Sequence, residues 1–293
     1  MNIALFGKSF TESFDTCIQQ LVTKLENKKC NLFVYEPFAV FLKKKVKFTA
    51  GIKTFNNHSD IKSKIDFLLS IGGDGTLLNT ITLIRDSGIP VIGINTGRLG
   101  FLSNISEAEI LDAVDALYSK KYVLEKRSLI KLETSNALFG DLNFALNELT
   151  VMKKNTSSMI TINTYVNGEY LNSYWADGLI IATPTGSTAY SLSCGGPIIT
   201  PESENFIITP IASHNLTVRP IVIPDRYEIK LNVSDDRNKS MLVSLDSRTQ
   251  TIDNSIELTV SKAPFKINLV RLENENFFST IRNKLMWGLD KRN

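Results

Sequence analysis

Gly72, Gly73, Asp74, Gly75 and Thr76 place one carboxylate among three glycines, between an apolar run and a helix-like run. Glycines let a backbone approach a phosphate closely. A strand-to-helix turn also leaves N–H groups unpaired where the helix dipole favours an anion. A negative charge is out of place in such a cradle, so Asp74 needs a reason. One reading is a helix-capping carboxylate, although Thr76 stands available as the cap of a helix beginning at Leu77. The other is an acid that faces a hydroxyl about to attack phosphorus, orients it and takes its proton. The loop matches neither G-x-x-x-x-G-K-[ST] nor G-x-G-x-x-G, and a glycine turn also has a plain structural reading.

Two more stretches carry chemistry. In "ADGLIIATPTGSTAYSLSCGGPI", residues 176–198, the hydroxyls of Thr183, Thr185, Ser187, Thr188, Ser191 and Ser193 alternate with glycines around Tyr190. This is either a Ser/Thr turn of a β-domain or the lining for a polar nucleotide with ribose and amide edges. A serine nucleophile is not supported. The G-x-S-x-G elbow is missing, and the two histidines, His58 and His214, sit beside no triad pattern. Cys194 reads as a small packed residue. In "ALNELTV", Asn147 and Glu148 interrupt an apolar strand run. A Glu there is either a surface tooth of the strand or a ligand for ribose hydroxyls.

The elements that must position these residues change character along the chain. "NIALFG", "NLFVYE", "IDFLLSI" and "PVIGIN" read as strands, three of them running into glycine-bearing turns. Between them lie helical stripes over residues 14–28 and from Leu77 to Ile84, closed by Ser87-Gly88. Ser106 with Glu109 three residues on forms a capping box for a helix running to about Ser119. This β-α-β rhythm predicts a parallel sheet flanked by helices. After about residue 127 the stripes give way to short alternating segments with turns such as Asn167-Gly168 and Pro224-Asp225, which predicts an all-β domain. The end, "NFFSTIRNKLMWGLDKRN", reads as an amphipathic helix with Phe278, Ile281 and Leu285 on one face.

Bulk properties narrow the function classes. The 293 residues suit one large or two modest domains. Net charge is +3, no long basic run appears and the cluster Lys43-Lys44-Lys45 is short, which argues against nucleic acid as a partner. The odd cysteines Cys17, Cys30 and Cys194 form no C-x-x-C pair, so neither a disulfide framework nor a zinc site is suggested. No apolar run reaches the roughly 18 residues of a membrane span, and the N-terminus is too short in its apolar part for a signal peptide. The expected compartment is the cytoplasm, with no membrane association.

Taken in order, "GGDGT", "ALNE" and "DGLIIATPTGSTAYSLSCGGPI" resemble the NAD kinases, and "GINTGRLGFLSNI" and "ASHNLTVRPIVIP" look like further parts of that family's pattern. The likeness runs from about residue 66 to the C-terminus. "GGDG" is shared with diacylglycerol and sphingosine kinases and with phosphofructokinases; the Thr/Ser/Gly run is the more specific part. The resemblance implies a kinase dependent on ATP, in some members on polyphosphate, that phosphorylates the 2′-hydroxyl of the adenosine ribose of NAD to give NADP. It implies an α/β domain over residues 1–126, an all-β, sandwich-like NAD-binding domain over 127–264, and a segment 265–293 whose helix packs back on the first domain. It also implies a homodimer or homotetramer with sites shared between subunits.

Carried over by position, Asp74 is the catalytic carboxylate and touches NAD, within a phosphate loop of Gly72, Gly73, Gly75 and Thr76. Phe101 lies against the nucleotide, Asn147 binds the adenine side and Glu148 the ribose hydroxyls. Asp177 contacts NAD, and Thr185, Thr188, Ala189, Tyr190, Ser191, Ser193 and Ala212 line the pocket. The family's usual Asp-Gly-Gln is here Asp246-Ser247-Arg248, which receives no role. Trp175 and Asn79 stand where relatives often carry basic residues. No metal-ligand cluster is visible, so Mg2+ is expected to arrive with ATP, held by phosphates and waters. Two rivals remain: a lipid kinase sharing "GGDGT", against which the lack of an amphipathic membrane segment counts, and a non-catalytic NAD sensor, against which Asp74 counts.

Overall fold

The computed structural model describes residues 1–97, 99–154, 159–234, 240–273 and 276–287. Contacts divide the chain into two compact units. One is Met1–Lys126 together with Ile267–Asn293, the other Arg127–Lys266.

The first unit opens with β1 (Asn2–Gly7), α1 (Asp15–Asn27), β2 (Asn31–Tyr35), α2 (Glu36–Leu42), β3 (Lys53–Phe55), α3 (His58–Ile61), β4 (Phe67–Ile71), α4 (Asp74–Ile84), β5 (Val91–Ile94), α5 (Ile110–Ser119) and β6 (Tyr122–Arg127). Strand β1 pairs in parallel with both β2 and β4, and β4 in parallel with β5. All five residues of β4 are buried, as a parallel strand covered on both faces requires. The chain lays β2 and β3 on one side of β1, then returns to lay β4 and β5 on the other. The carboxyl ends of β1 and β4 are therefore the switch point where open α/β sheets bind ligands, and the Gly72 loop leaves β4 there. The box at Ser106 forms as expected, with the Ser106 N–H donating to Glu109 Oε2 at 3.0 Å, and α5 ends at Ser119. Helices α2 and α3 and strand β3 escape sequence reading, because elements of three to seven residues hold too few periods to register.

The second unit contains β7 (Ile130–Glu133), β8 (Phe144–Ala145), β9 (Glu148–Lys153), β10 (Ile160–Val166), β11 (Glu169–Ala176), β12 (Gly178–Ala182), α6 (Tyr190–Ser193), β13 (Asn205–Ile211), β14 (Ile221–Pro224), β15 (Ile229–Ser234), β16 (Ser240–Leu245), β17 (Arg248–Asp253) and β18 (Leu258–Lys262). They form two six-stranded sheets, β11-β10-β15-β18-β7-β8 and β14-β13-β12-β9-β16-β17. One apolar cluster takes Ile162, Leu231 and Val260 from the first sheet and Leu149, Val151, Leu179 and Ile181 from the second, which makes the unit a sandwich. Asn167 and Gly168 close the β10–β11 hairpin with φ of 50° and 81°, the left-handed pair a two-residue turn demands.

The chain then rejoins the first unit through β19 (Ile267–Leu272), which takes its place between β5 and β6, and α7 (Phe277–Leu285). Sequence reading expects the helix but not β19. Of the apolar face expected on α7 only Ile281 is buried, while Phe278 and Leu285 are exposed. Residues 288–293 of the expected helix lie outside the described residues.

Candidate functional site

The glycine loop of the first unit is built by close packing. Gly72 has φ +148°, a conformation side chains rarely adopt, and a Cβ there would collide with the Thr76 side chain. Helix α4 starts at Asp74, three residues earlier than sequence reading expects. Its N-cap is Gly73, which offers no side chain, so Asp74 is not a capping residue and neither is Thr76. Among the described residues no hydrogen bond takes the N–H groups of Gly73, Asp74 or Gly75. They remain open to an anion.

The Asp74 carboxylate is held by a second loop. Oδ2 accepts from the Phe101 N–H at 2.9 Å; Oδ1 accepts from Leu102 at 3.0 Å and Ser103 at 2.9 Å. That loop follows β5, the neighbour of β4, so both loops emerge at one end of the sheet. Asn95 shapes it, accepting from the Gly97 N–H at 2.6 Å and donating to the Ser103 carbonyl at 3.3 Å. Gly100 is obligatory, since a Cβ would sit inside the Asp74 carboxylate. An ionised carboxylate accepts at about four positions. Three are taken, and the one left is on Oδ2. The side chain of Asp74 remains 31% exposed. Lys284 Nζ, from α7, lies 3.8 Å from Oδ2 and 4.5 Å from the centre of the Phe101 ring. Asn79 donates to the Gly75 carbonyl at 2.8 Å and is committed to its own helix.

In the second unit Asn147 and Glu148 are not teeth on a strand. Leu146 and Asn147 form the corner where the chain leaves β8 in one sheet for β9 in the other. A buried corner strands three consecutive N–H groups, and buried backbone donors require acceptors. Asp246 supplies them: Oδ2 accepts from Leu146 at 2.9 Å, Oδ1 from Asn147 at 2.8 Å and Glu148 at 3.3 Å. The Asp246 N–H donates back to the Glu148 carbonyl at 3.0 Å. Arg248 braces the same corner from behind, donating to the carbonyls of Leu142 and Phe144.

The Thr/Ser/Gly loop clips onto this corner. Thr183 Oγ1 donates to the Leu146 carbonyl at 2.5 Å and accepts from the Gly186 N–H at 3.2 Å. A Cβ on Gly186 would run into the Asn147 carbonyl. Ser187 Oγ donates to the Pro184 carbonyl at 2.6 Å, Thr185 Oγ1 accepts from Arg127 at 3.4 Å, and Thr188 Oγ1 donates to the Thr185 carbonyl at 3.3 Å. Ser191 is buried with its hydroxyl 2.9 Å from that of Thr209. Most of the hydroxyls that sequence reading offers to a ligand thus hold the loop in shape.

The groups left facing outward are Tyr190 and Ser193, with Thr188 and Ala189, just before Tyr190, half-buried. Tyr190 is near Glu148 and Asp177, whose charges, after burial and Cys194, push its hydroxyl pKa up. Asp177 pairs with Lys153 at 2.5 Å. Ala212, exposed and left-handed at φ 46°, follows Ile211, whose carbonyl takes the Asp177 N–H at 3.0 Å. Trp175 packs against His214, ring centres 4.4 Å apart. Burial, and then the Asp246 charge, push the Glu148 carboxyl up to about 8, and its Oε2 is buried without a hydrogen bond. Both causes favour the protonated form of Glu148.

Sequence reading missed Lys284, Lys153, Gly100 and the clamp made by Asp246. Gly100 had a signal, its place in "GRLGF". The others are brought in by strand pairing and chain return.

Comparison with known proteins agrees along the chain. The family model for the ATP-NAD kinase N-terminal domain matches residues 3–122, and that for the ATP-NAD kinase C-terminal domain residues 146–272. The chain is 50% identical to the NAD kinase of Flavobacterium psychrophilum over the whole length of both, and 42% identical to that of Bacteroides fragilis strain ATCC 25285, also over both whole chains. The fold matches a crystal structure of yeast NADH kinase complexed with NADH at TM-score 0.88 and 24% identity, covering 99% of this chain and 89% of that one. It matches an NAD kinase from Archaeoglobus fulgidus in complex with ATP at TM-score 0.73 and 26% identity, covering 98% and 99%.

Proposed function

The chain belongs to the NAD kinase family and is a kinase by that membership, and we propose that it moves the terminal phosphoryl group of ATP to the 2′-hydroxyl of the adenosine ribose of NAD, giving NADP. The observation that supports this most directly is the Asp74 carboxylate. Three amides fix its orientation, one acceptor position on Oδ2 is left over, and three unpaired N–H groups lie beside it.

The roles follow from those positions. Gly72, Gly73, Gly75 and Thr76 shape the loop whose free amides receive phosphate oxygens. Asp74 Oδ2 accepts the hydrogen bond of the ribose hydroxyl and then its proton as the O–P bond forms. Glu148, protonated, donates to a ribose oxygen, and Asn147 faces the base. Phe101, beside the glycine loop, lies against the nucleotide; in the second unit Tyr190 covers it with its ring, assisted by Thr188, Ala189, Ser193 and Ala212, while Asp177 receives the substrate's donor groups. Thr185 and Ser191 act by holding the loop.

Magnesium enters this reading as part of the ATP substrate, held by phosphates and waters, and no step is assigned to it. No helix among the described residues is long and apolar enough to cross a membrane. The same reading takes the protein as a cytoplasmic homodimer or homotetramer whose subunits share sites.

The test is direct. Purified protein with ATP, magnesium and NAD should form NADP, measured by a coupled NADP-specific dehydrogenase, and should leave diacylglycerol unphosphorylated. Lipid phosphorylation without NADP, or NAD binding without turnover, would overturn the reading.

A further inference from the structure

We infer that Lys284, on α7, is a further catalytic residue of this reaction, its ammonium contacting the phosphoryl group as that group passes from ATP to the ribose oxygen. The inference rests on the role proposed for Asp74. Helix α7 is fixed at its start by Asn276, whose Oδ1 accepts from the Ser279 N–H at 2.9 Å. It is anchored in the core by Ile281, one turn before Lys284. The ammonium then sits over the Phe101 ring, Nζ 4.5 Å from its centre, and 3.8 Å from Asp74 Oδ2, the oxygen with the spare acceptor position.

At 3.8 Å the contact is an ion pair but not a hydrogen bond. Among the described residues no hydrogen bond uses the three donors of this ammonium. The side chain is only 28% exposed. A cation drawn this far out of water with its donors unspent is stabilised when an anion arrives to take them. The anion that the loop is shaped for is a phosphate.

Charge supplies the second argument. An acid among phosphate-binding amides repels a polyphosphate, and a cation within 4 Å of that acid removes the repulsion without removing the base. Asn79 does not serve, since its amide carries no charge and donates to the Gly75 carbonyl. In the transfer the ribose oxygen bonds to phosphorus as the bond to ADP breaks, and the hydroxyl proton goes to Asp74. Lys284 keeps its proton throughout and supplies charge and hydrogen bonds to the phosphoryl oxygens, which carry most of the charge at the transition state.

The experiment compares wild type, Lys284→Gln, Lys284→Met and Lys284→Arg in one NADP assay. Met keeps an unbranched apolar chain and Gln a polar one, both without the ammonium, so a loss shared by Gln and Met belongs to the charge. The expected kcat is lower by about 10²–10³-fold in both, as when a transition-state donor is removed. KM for NAD and the melting temperature should stay close to wild type, and Arg should recover part of the rate. Wild-type kcat in Gln and Met would overturn the inference and leave the NAD kinase reading standing. So would a loss that Arg does not relieve and that KM for NAD follows, the mark of a displaced helix. A wild type that makes no NADP would overturn both.

Discussion

Replacing Asp74 by Asn separates the reaction from the scaffold because the structure forecasts both. The Asn oxygen can keep the two bonds that Oδ1 now accepts from Leu102 and Ser103. The new amide group then turns its N–H toward the Phe101 N–H, donor against donor, where Oδ2 now accepts at 2.9 Å. Leaving one buried amide unpaired costs about 1–3 kcal/mol. The site is 31% exposed, so water reaches part of it and the low end applies, about 1 kcal/mol. For a unit of this size that is a fall in melting temperature of about 2–4 °C. Turnover should fall much further, by about 10²–10⁴, the contribution of a positioned general base. NAD and ATP should still bind. A capping role would predict that Asn serves as well as Asp with no thermal shift, and that role is already excluded by the start of α4 at Asp74 behind a glycine cap. The assay is kcat, both KM values and the melting temperature on one preparation. A kcat within tenfold of wild type in a folded variant would refute the base role.

Two further outcomes test the second unit. Glu148 is held at about 8, above its ordinary value of 4.5, so the folded chain keeps a proton that the unfolded chain releases, and this group lowers stability as pH rises from about 4.5 to 8. Glu148→Gln should therefore lose less melting temperature than wild type between pH 5 and pH 8, the difference reaching at most about 1.4 kcal/mol per pH unit; parallel pH curves for the two proteins would show that Glu148 is ionised when folded. Gly186→Ala should destabilise by about 1–3 kcal/mol, because its methyl meets the Asn147 backbone and not a movable side chain. It should also raise KM for NAD with little change in kcat; a calorimetric scan and kinetics that match wild type would remove the clip between the two loops.

What the sequence disclosed is local, and what it hid is long-range. The β4–loop–α4 passage was readable because a strand with four apolar residues in five, a glycine turn and a 3.6-residue stripe follow each other without a gap. The Ser106 box and the Asn167-Gly168 turn were readable because their partners are three residues apart or fewer. The register of β19 was not, since its neighbours β5 and β6 are more than a hundred residues away in the chain. The hydroxyl-rich run was recognised as special for only part of the right reason. Sequence pattern shows that Thr183, Ser187 and Ser191 are hydroxyls but not that each is spent on a neighbouring carbonyl or hydroxyl.

The deepest miss is the kinship of Asp74 and Asp246. Each carboxylate gathers three consecutive N–H groups, two on Oδ1 and one on Oδ2, and each has a basic group about 4 Å from Oδ2, Lys284 for one and Arg248 for the other. By hydrogen-bond pattern alone the two are the same device. They differ in what is left unspent. The Asp246 side chain is 5% exposed, its pKa is raised by burial, and Arg248 turns two of its donors to the Leu142 and Phe144 carbonyls. Closed off from solvent, Asp246 acts on its neighbours, holding Asn147 and Glu148 in place. Asp74 keeps a third of its surface in solvent, and Lys284 keeps its donors. A carboxylate clamp is a scaffold when its counter-ion is satisfied and a reaction centre when it is not. A carboxylate in a phosphate loop makes sense on that basis: the amides fix its aim, and the open acceptor with the unspent ammonium beside it is where the chemistry is placed.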